Sequence, residues 1–365
     1  VKLPPPVHST VREIYKLHEA AREREPERDY LGGSEIGQPC KRRLWLSFRH
    51  AEREDFDGRM LRLFGTGHRE EARLIAELRA AGMTVSDRDD RGQQHEVVAC
   101  GGHVKGHLDG ALLGLVEAPK TWHLLECKTH NAKSYADVVK RSVSVAKPLH
   151  YAQMIFYMGL AGIARGAYFA INKDTDHIHL ERIEFEQAEF DRLMGIASAT
   201  VFSNEPPPRI SEDASWFECR YCPFIGLCHG NQVPLPNCRT CAHSTPMNGG
   251  TWQCAQHGQT VDFPTQQAGC PDHRYIPALV DRVLELVGAE GNEIAWRIIP
   301  TGALIRQPEF LSTELRNAPN WEFPTTQWAQ DYKRIFGARI APSRGDAWEP
   351  PRVETGDAPK SDVPF

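Results

Sequence analysis

Gly106-His107-Leu108-Asp109-Gly110, followed further along by Leu124-Leu125-Glu126-Cys127-Lys128, decides how this chain is to be read. Glu126 and Lys128 lie two apart behind the apolar run 122–125. Side chains of a strand alternate between its faces, so residues i and i+2 share one. A carboxylate and an ammonium are therefore expected to point the same way at the end of a largely buried strand. Asp109 adds a second carboxylate seventeen positions earlier, at the end of another short strand, 103–109. Two acids beside one lysine suit a divalent cation and a water nucleophile. Carboxylate oxygens hold hard Mg²⁺ or Mn²⁺. Such an ion acidifies water and neutralises a phosphoryl oxygen. The lysine would orient that water or help to deprotonate it. By itself an acid-x-lysine pair on a strand is most often a solvated ion pair, so the flanking chain has to carry the reading.

Outward from this stretch, 94–99, 103–109 and 122–127 read as consecutive strands, with Gly101-Gly102 as a hairpin turn. Cys127 falls on the strand face opposite Glu126 and Lys128, where packing is expected. Glu117 is expected in a solvated loop. Segment 131–147 is polar and basic, with Lys133, Lys140, Arg141 and Lys147 around Tyr135. It reads as a loop, placed where it could meet substrate phosphates. Segment 150–160 reads as a helix on which Gln153 and Tyr157, four apart, share a face. Upstream, a helix is expected from Phe64 to about Ala81, stopped by Gly82, with Leu74, Ile75 and Leu78 buried and His68 in the first turn. Ser34 reads as a helix N-cap, with Gly37 and Pro39 breaking that helix soon after.

The order Asp109, Glu126-Cys127-Lys128, Gln153-x3-Tyr157 resembles the PD-(D/E)xK nuclease superfamily, and within it the RecB-like branch. That resemblance implies an α/β, restriction-endonuclease-like core in which helices flank a mixed central sheet. It implies that Asp109, Glu126 and the Cys127 backbone carbonyl hold Mg²⁺ or Mn²⁺. It adds His68 as a further ligand, although Gly65-x-x-His68 is one residue short of the branch's G-x-x-x-H helix start. Gln153 and Tyr157 would lie beside the active site and position DNA. Ser34, Ile36, Cys40, Arg42-Arg43 and Leu44 resemble the opening of the iron–sulfur members, such as the AddB nuclease domain and the small CRISPR-associated adaptation nucleases. In those, one early cysteine joins three late ones. Here the late set is Cys219-x2-Cys222-x5-Cys228. Four thiolates are what a [4Fe–4S] cluster requires, and zinc accepts the same ligands. Cys40, Cys219, Cys222 and Cys228 are thus the expected cluster ligands, stapling the two ends of the domain together.

A second cysteine group follows: Cys238-x2-Cys241, then Cys254 and Cys270, the last two each trailed by a histidine, His257 and His273. The C-x2-C knuckle signals zinc. The expected ligands are the four cysteines, with His257 or His273 as substitutes. This insert is short and turn-rich, so a metal would help it to fold. The segment 276–341 is expected to contain one helix, 278–287, and Trp296, Trp321 and Trp328. The parts expected are an N-terminal arm and helix (1–29), a nuclease domain (30–232), a zinc module (233–275), a small C-terminal module (276–341) and a tail (342–365). The tail is rich in proline, glycine and charge and is expected to be disordered.

Bulk properties agree with a soluble protein of about two domains: 365 residues, 41% hydrophobic, 25% charged, formal net charge −5. No apolar run approaches the ~20 residues of a membrane helix, and no signal peptide is indicated. Ten cysteines clustered at short spacings point to metal ligation in a reducing cytoplasm, bacterial or of a phage-infected cell. No G-x4-G-K-[ST] loop is present, so no helicase motor is expected. The function expected is a metal-dependent DNA exonuclease acting at single-stranded or duplex ends in recombination, repair, adaptation or phage DNA processing, with a recombination or adaptation protein as a further partner. The competing expectation is a catalytically silent iron–sulfur DNA-binding or assembly factor on the same fold.

Overall fold

A computed structural model describes residues 9–317. Helix α1 (Thr10–Arg24) lies against α3 (Gly58–Ala80), and α2 (Lys41–Phe48) separates them in sequence. Between α1 and α2 the chain adds a short strand, β1 (Leu31–Gly32). After α3 come β2 (Thr84–Ser86), the hairpin β3 (Glu96–Ala99) and β4 (Val104–His107), then β5 (Gly110–Leu113) and β6 (His123–His130). Three helices follow, α4 (Ala132–Arg141), α5 (Val143–Ala146) and α6 (Pro148–Ala161). They provide the crossover that a parallel strand pair needs, bringing the chain back as β7 (Arg165–Asn172) alongside β6. Strand β8 (Ile178–Glu184) and α7 (Gln187–Phe202) complete this part.

The central sheet has the order β2-β5-β6-β7-β8, parallel only at β6–β7. A smaller sheet has the order β1-β4-β3. The fold is thus mixed α/β, with helices against both faces of the main sheet. Alternation along β6 divides the core. Leu124 joins Phe156 of α6 and Leu193 of α7, whereas Leu125 and Cys127 join Leu74, Ile75 and Leu78 of α3. Because β6 and β7 are covered on both faces, burial runs on along them rather than alternating, with an apolar run in β7 and polar side chains carried inside on β6.

The remaining described chain combines short helical turns with two antiparallel three-stranded sheets: β9 (Ser244–Pro246), β10 (Trp252–Cys254) and β11 (Gln259–Val261), then β12 (Leu284–Glu290), β13 (Glu293–Ile298) and β14 (Leu304–Gln307). Each shares a core with the earlier part. Trp252, Cys254 and Val261 belong to the cluster that holds Phe156, and Trp296 and Tyr275 to one that holds Trp45 and Leu46 of α2. Arg239 is the clearest joint. Its guanidinium donates to the carbonyls of Phe48 and Asp29 and to Gln266 Oε1, and lies over the rings of Phe48, Trp252 and Phe263.

Several expected elements differ. Helix α3 starts at Gly58, not Phe64, because Asp57 caps it by accepting from Met60 N at 2.7 Å; His68 is therefore mid-helix. Segment 131–147 is helical, not a loop, since Asn131 caps α4 through Ser134 N and Val138 is buried beneath it. Ser34 sits within a single 3₁₀ turn, Gly33–Glu35, and the next helix begins only after Pro39, at Lys41. The expected helix 278–287 is a short turn, Pro277–Val280, followed by β12, because the chain from Leu284 finds a strand partner across the turn at Gly291-Asn292. Strand β4 stops at His107, and β6 continues to His130, so Glu126 and Lys128 lie within the strand and not at its end. Trp321, Trp328 and the segment 342–365 lie outside the described residues.

Candidate active site

Asp109 occupies the link where the chain leaves the small sheet at β4 and joins the central sheet at β5. Gly110 makes that exit possible. Its φ is +152°, and a Cβ there would press to 3.0 Å from Ser86 O. Asp109 is fastened to β6, its Oδ2 accepting the Cys127 backbone N–H at 2.8 Å. Glu126, 1% exposed, accepts from Gln153 Nε2 at 2.8 Å and pairs with Lys128 Nζ. The shared face expected for Glu126 and Lys128 is thus present, and α6 packs on it.

A third acid, Glu71, belongs to no motif in the sequence. Glu71 follows His68 by three positions on α3, so the two share a helix face. Asp109 and Lys128 both act electrostatically on Glu71, and His68 acts on Asp109, so α3 closes the site from the side opposite α6. Burial raises the pKa of Glu71 to about 7, reinforced by Asp109. Burial likewise raises Glu126 to about 7; Lys128 opposes this, and Asp109 and Glu71 add to it. Asp109 is raised by burial against the pull of Lys128 and the Cys127 N–H. Burial disfavours the Lys128 ammonium too, but Glu126 and Asp109 outweigh that and hold its pKa above the ordinary lysine value. Three carboxyls thus act on one ammonium, and burial, complete only at Glu126, favours their protonated forms.

Gln153 and Tyr157 project from α6 to the same place, as their spacing requires. Tyr157 is buried, and burial followed by Glu126 raises its hydroxyl's pKa. Its ring fills the space where Gly33 and Gly106 lack side chains, since a Cβ would come within 2.6 and 2.3 Å of ring carbons. The glycine that opens the deciding stretch is therefore there to admit this tyrosine. Among the described residues, no three His, Cys, Asp or Glu side chains close up tightly enough to enclose a metal ion as they stand. Asp109 and Glu126 are instead satisfied by the Cys127 N–H, Gln153 and Lys128.

The two cysteine groups lie elsewhere. Cys40, at the start of α2, lines one cavity with Cys219, Cys222 and Cys228, so the structure brings together residues far apart in sequence. Arg42, Arg43 and Arg209 share its wall, and Nε of Arg42 and of Arg209 are buried without a hydrogen-bond partner. Cys238, Cys241 and Cys254 are buried, and Cys270 is exposed. Burial pushes the Cys238 thiol up to about 12, and the nearness of Cys241, Cys270 and Cys254 adds to this. Of the two histidines considered, His257 Nε2 lies 3.7 Å from Cys270 Sγ. His273 is engaged otherwise, with its ring nitrogens on Thr240 Oγ1 and Ser312 Oγ at 3.1 and 2.8 Å, which removes it as a substitute ligand. Glu117 is exposed, as expected.

No protein-family model matches the chain, and no curated protein matches it in sequence. Among solved structures, the chain is similar to SSO0001, with 15% identity, 60% of this chain and 96% of that one covered, and a TM-score of 0.38. It is also similar to LHK-Exo in complex with dAMP, with 16% identity, coverage of 52% and 89%, and a TM-score of 0.35. The alkaline exonuclease LHK-Exo from Laribacter hongkongensis matches with 17% identity, coverage of 51% and 90%, and a TM-score of 0.34. No helix among the described residues is long and apolar enough to cross a membrane.

Proposed function

We propose that this protein is a Mg²⁺- or Mn²⁺-dependent deoxyribonuclease, an exonuclease acting at DNA ends in recombination, repair or phage DNA processing. The observation that carries this reading is the meeting of Glu126, buried on β6 against Lys128 and Gln153, with Asp109, which is fastened beside it to the Cys127 N–H. Carboxylate oxygens fit a hard divalent cation. Asp109, Glu126 and Glu71 would hold it, with His68 and the Cys127 carbonyl as further donors. A bound ion would supply Lewis-acid stabilisation of a phosphoryl oxygen and an acidified water.

The chain's own groups do the rest. Gln153 holds Glu126 by its Oε1, leaving the other oxygen free to face the cation. Lys128, paired with Glu126, would orient the attacking water or a phosphate oxygen through its Nζ, or help to deprotonate that water. Tyr157 and Gln153 position the strand. Helix α4 presents the exposed Lys133 and Lys140 directly after β6, suited to phosphate contacts, whereas Arg141 is paired with Asp137. End-labelled DNA with Mn²⁺ tests the reading: the parent protein degrades it, and Glu126→Ala and Lys128→Ala do not. Equal degradation by parent and variants would defeat the assignment, and no degradation by the parent would favour the silent DNA-binding alternative.

For the sulfur groups, we propose a [4Fe–4S] cluster on Cys40, Cys219, Cys222 and Cys228. Four thiols on one cavity, with partnerless Arg42 and Arg209 N–H groups beside them, suit an anionic cluster whose sulfurs accept hydrogen bonds. Zinc is proposed on Cys238, Cys241, Cys254 and Cys270, where Cys241 Sγ already accepts the Arg274 N–H at 3.5 Å. Anaerobically purified protein should be brown with iron at the first group. Stoichiometric zinc with no iron there would reverse that part.

A further inference from the structure

Behind the carboxylates runs a line of polar side chains to which the proposed reaction gives no task. His130 follows Glu126 and Lys128 on the same face of β6. Its Nδ1 lies 2.9 Å from Ser134 Oγ in the first turn of α4, and its Nε2 2.9 Å from the hydroxyl of Tyr168. Tyr168 stands opposite Glu126 in the β6–β7 register. The same hydroxyl is 2.7 Å from Nδ1 of His150, in the first turn of α6. One helical turn further along α6 is Gln153, which donates to Glu126 Oε1.

The chemistry of this line is constrained. A phenol has one proton, so Tyr168 can donate to one imidazole only, and the other must donate its own N–H to the phenol oxygen. Both polarities satisfy all the nitrogens involved, with Ser134 as donor or as acceptor at the far end. Burial keeps both rings neutral, lowering His130 to about 4 with help from Lys147 and Lys128, and His150 to about 3 with help from Lys128 and His130. Tyr168 is fully buried. Packing alone would be served by phenylalanine, without the need to satisfy a hydroxyl and two imidazoles in the interior. What the hydroxyl adds is a fixed distance between the β6–β7 face and the first turn of α6.

We propose that Tyr168, held between His130 and His150, is a positioning residue for Glu126: it pins the start of α6 to the sheet and so sets the reach of Gln153 to the Glu126 carboxylate. The proposal rests on the nuclease reading for its consequence in catalysis, but not for its effect on cation binding. Side chains one step removed from a metal's ligands typically change affinity or activity by roughly ten- to a hundredfold when removed.

The test uses the full-length protein and its variants Tyr168→Phe, His150→Leu and His150→Asn. Asparagine places a polar atom where the imidazole has Nδ1, the atom that meets Tyr168; leucine does not. Mn²⁺ affinity is measured by titration with detection of the free ion, beside cleavage of end-labelled DNA. Tyr168→Phe and His150→Leu are expected to weaken Mn²⁺ binding about tenfold or more and to lower kcat similarly with KM unchanged. His150→Asn is expected to recover most of both. Parent-like Mn²⁺ affinity in Tyr168→Phe, or an equal loss in His150→Asn and His150→Leu, would overturn the proposal. If Tyr168→Phe does not fold, the His150 pair decides, since that side chain is only half-buried. A parent that binds Mn²⁺ without cutting DNA defeats the nuclease reading alone, and the affinities still judge the positioning role. A parent that binds no Mn²⁺ defeats both.

Discussion

The carboxylate site and the two thiol sites are built on different principles. Around Asp109 and Glu126, the protein's own groups already hold the side chains: the Cys127 N–H engages Asp109 in the link between β4 and β5, and Gln153 and Lys128 engage Glu126 on the buried strand β6. Around Cys40, Cys219, Cys222 and Cys228 the sulfurs come from short helical turns and loop, Phe217–Arg220 and Ile225–Cys228, joined to α2 across a long stretch of chain. The first site is held by the protein's own hydrogen bonds; under the proposed cluster, the second would be held together by the group it binds. Cation loss at the first should therefore change activity and leave the fold, whereas loss at the second should change the fold.

The sharpest way to break that contrast is Glu126→Ala. Cleavage is expected to fall about a thousandfold or more, the effect of losing roughly 4 kcal/mol of transition-state stabilisation, while the melting temperature moves by only a few degrees. A collapse of the fold would show that the carboxylates are structural after all. Next in size, Cys228→Ser should remove the iron and lower the melting temperature by roughly 6–12 °C, equivalent to about 3 kcal/mol in a domain of this size. An unchanged melt would put the sulfur site on the same footing as the carboxylates.

Glu71 sharpens the comparison through pH. Its pKa and that of Glu126 are raised to about 7 from an ordinary 4.5, first by burial, then by like charge. The folded chain then binds these protons more tightly than the unfolded one. The resulting stabilisation is complete below about pH 4.5 and is lost as pH rises through 7. Protein freed of divalent ions by a chelator should lose melting temperature across that window. Glu71→Gln should flatten the loss, and Mn²⁺ should reduce it in the parent. Coincident parent and Glu71→Gln curves would remove Glu71 from the site. The smallest effect expected is at His257: if the four cysteines suffice, His257→Ala keeps its zinc, and one lost zinc per chain would make the histidine a ligand.

Much of this arrangement was legible in residue order. Spacing by two put Glu126 and Lys128 on one strand face, and spacing by four put Gln153 and Tyr157 on one helix face, because both periods are properties of the backbone. What spacing could not supply was the company each residue keeps. Glu71 is not legible there because its part in the site depends on α3 packing against the central sheet, beside Asp109 and Lys128. Segment 131–147 reads as a loop because its polarity hides the two buried valines, Val138 and Val143, that seat its helices. The strand at Leu284 looked helical because its partner, β13, lies beyond the turn.

By itself, then, residue order determined the acid-x-lysine strand, the helix that faces it and the grouping of the cysteines, since local period and short spacing are written along the chain. Only the tertiary structure decided that a third carboxyl joins the site, that His273 is spent on Thr240 and Ser312, and that Tyr168 stands between two histidines behind Glu126. Each of these is a meeting of side chains from separate elements. Burial, not sequence distance, sets how strongly they act on one another.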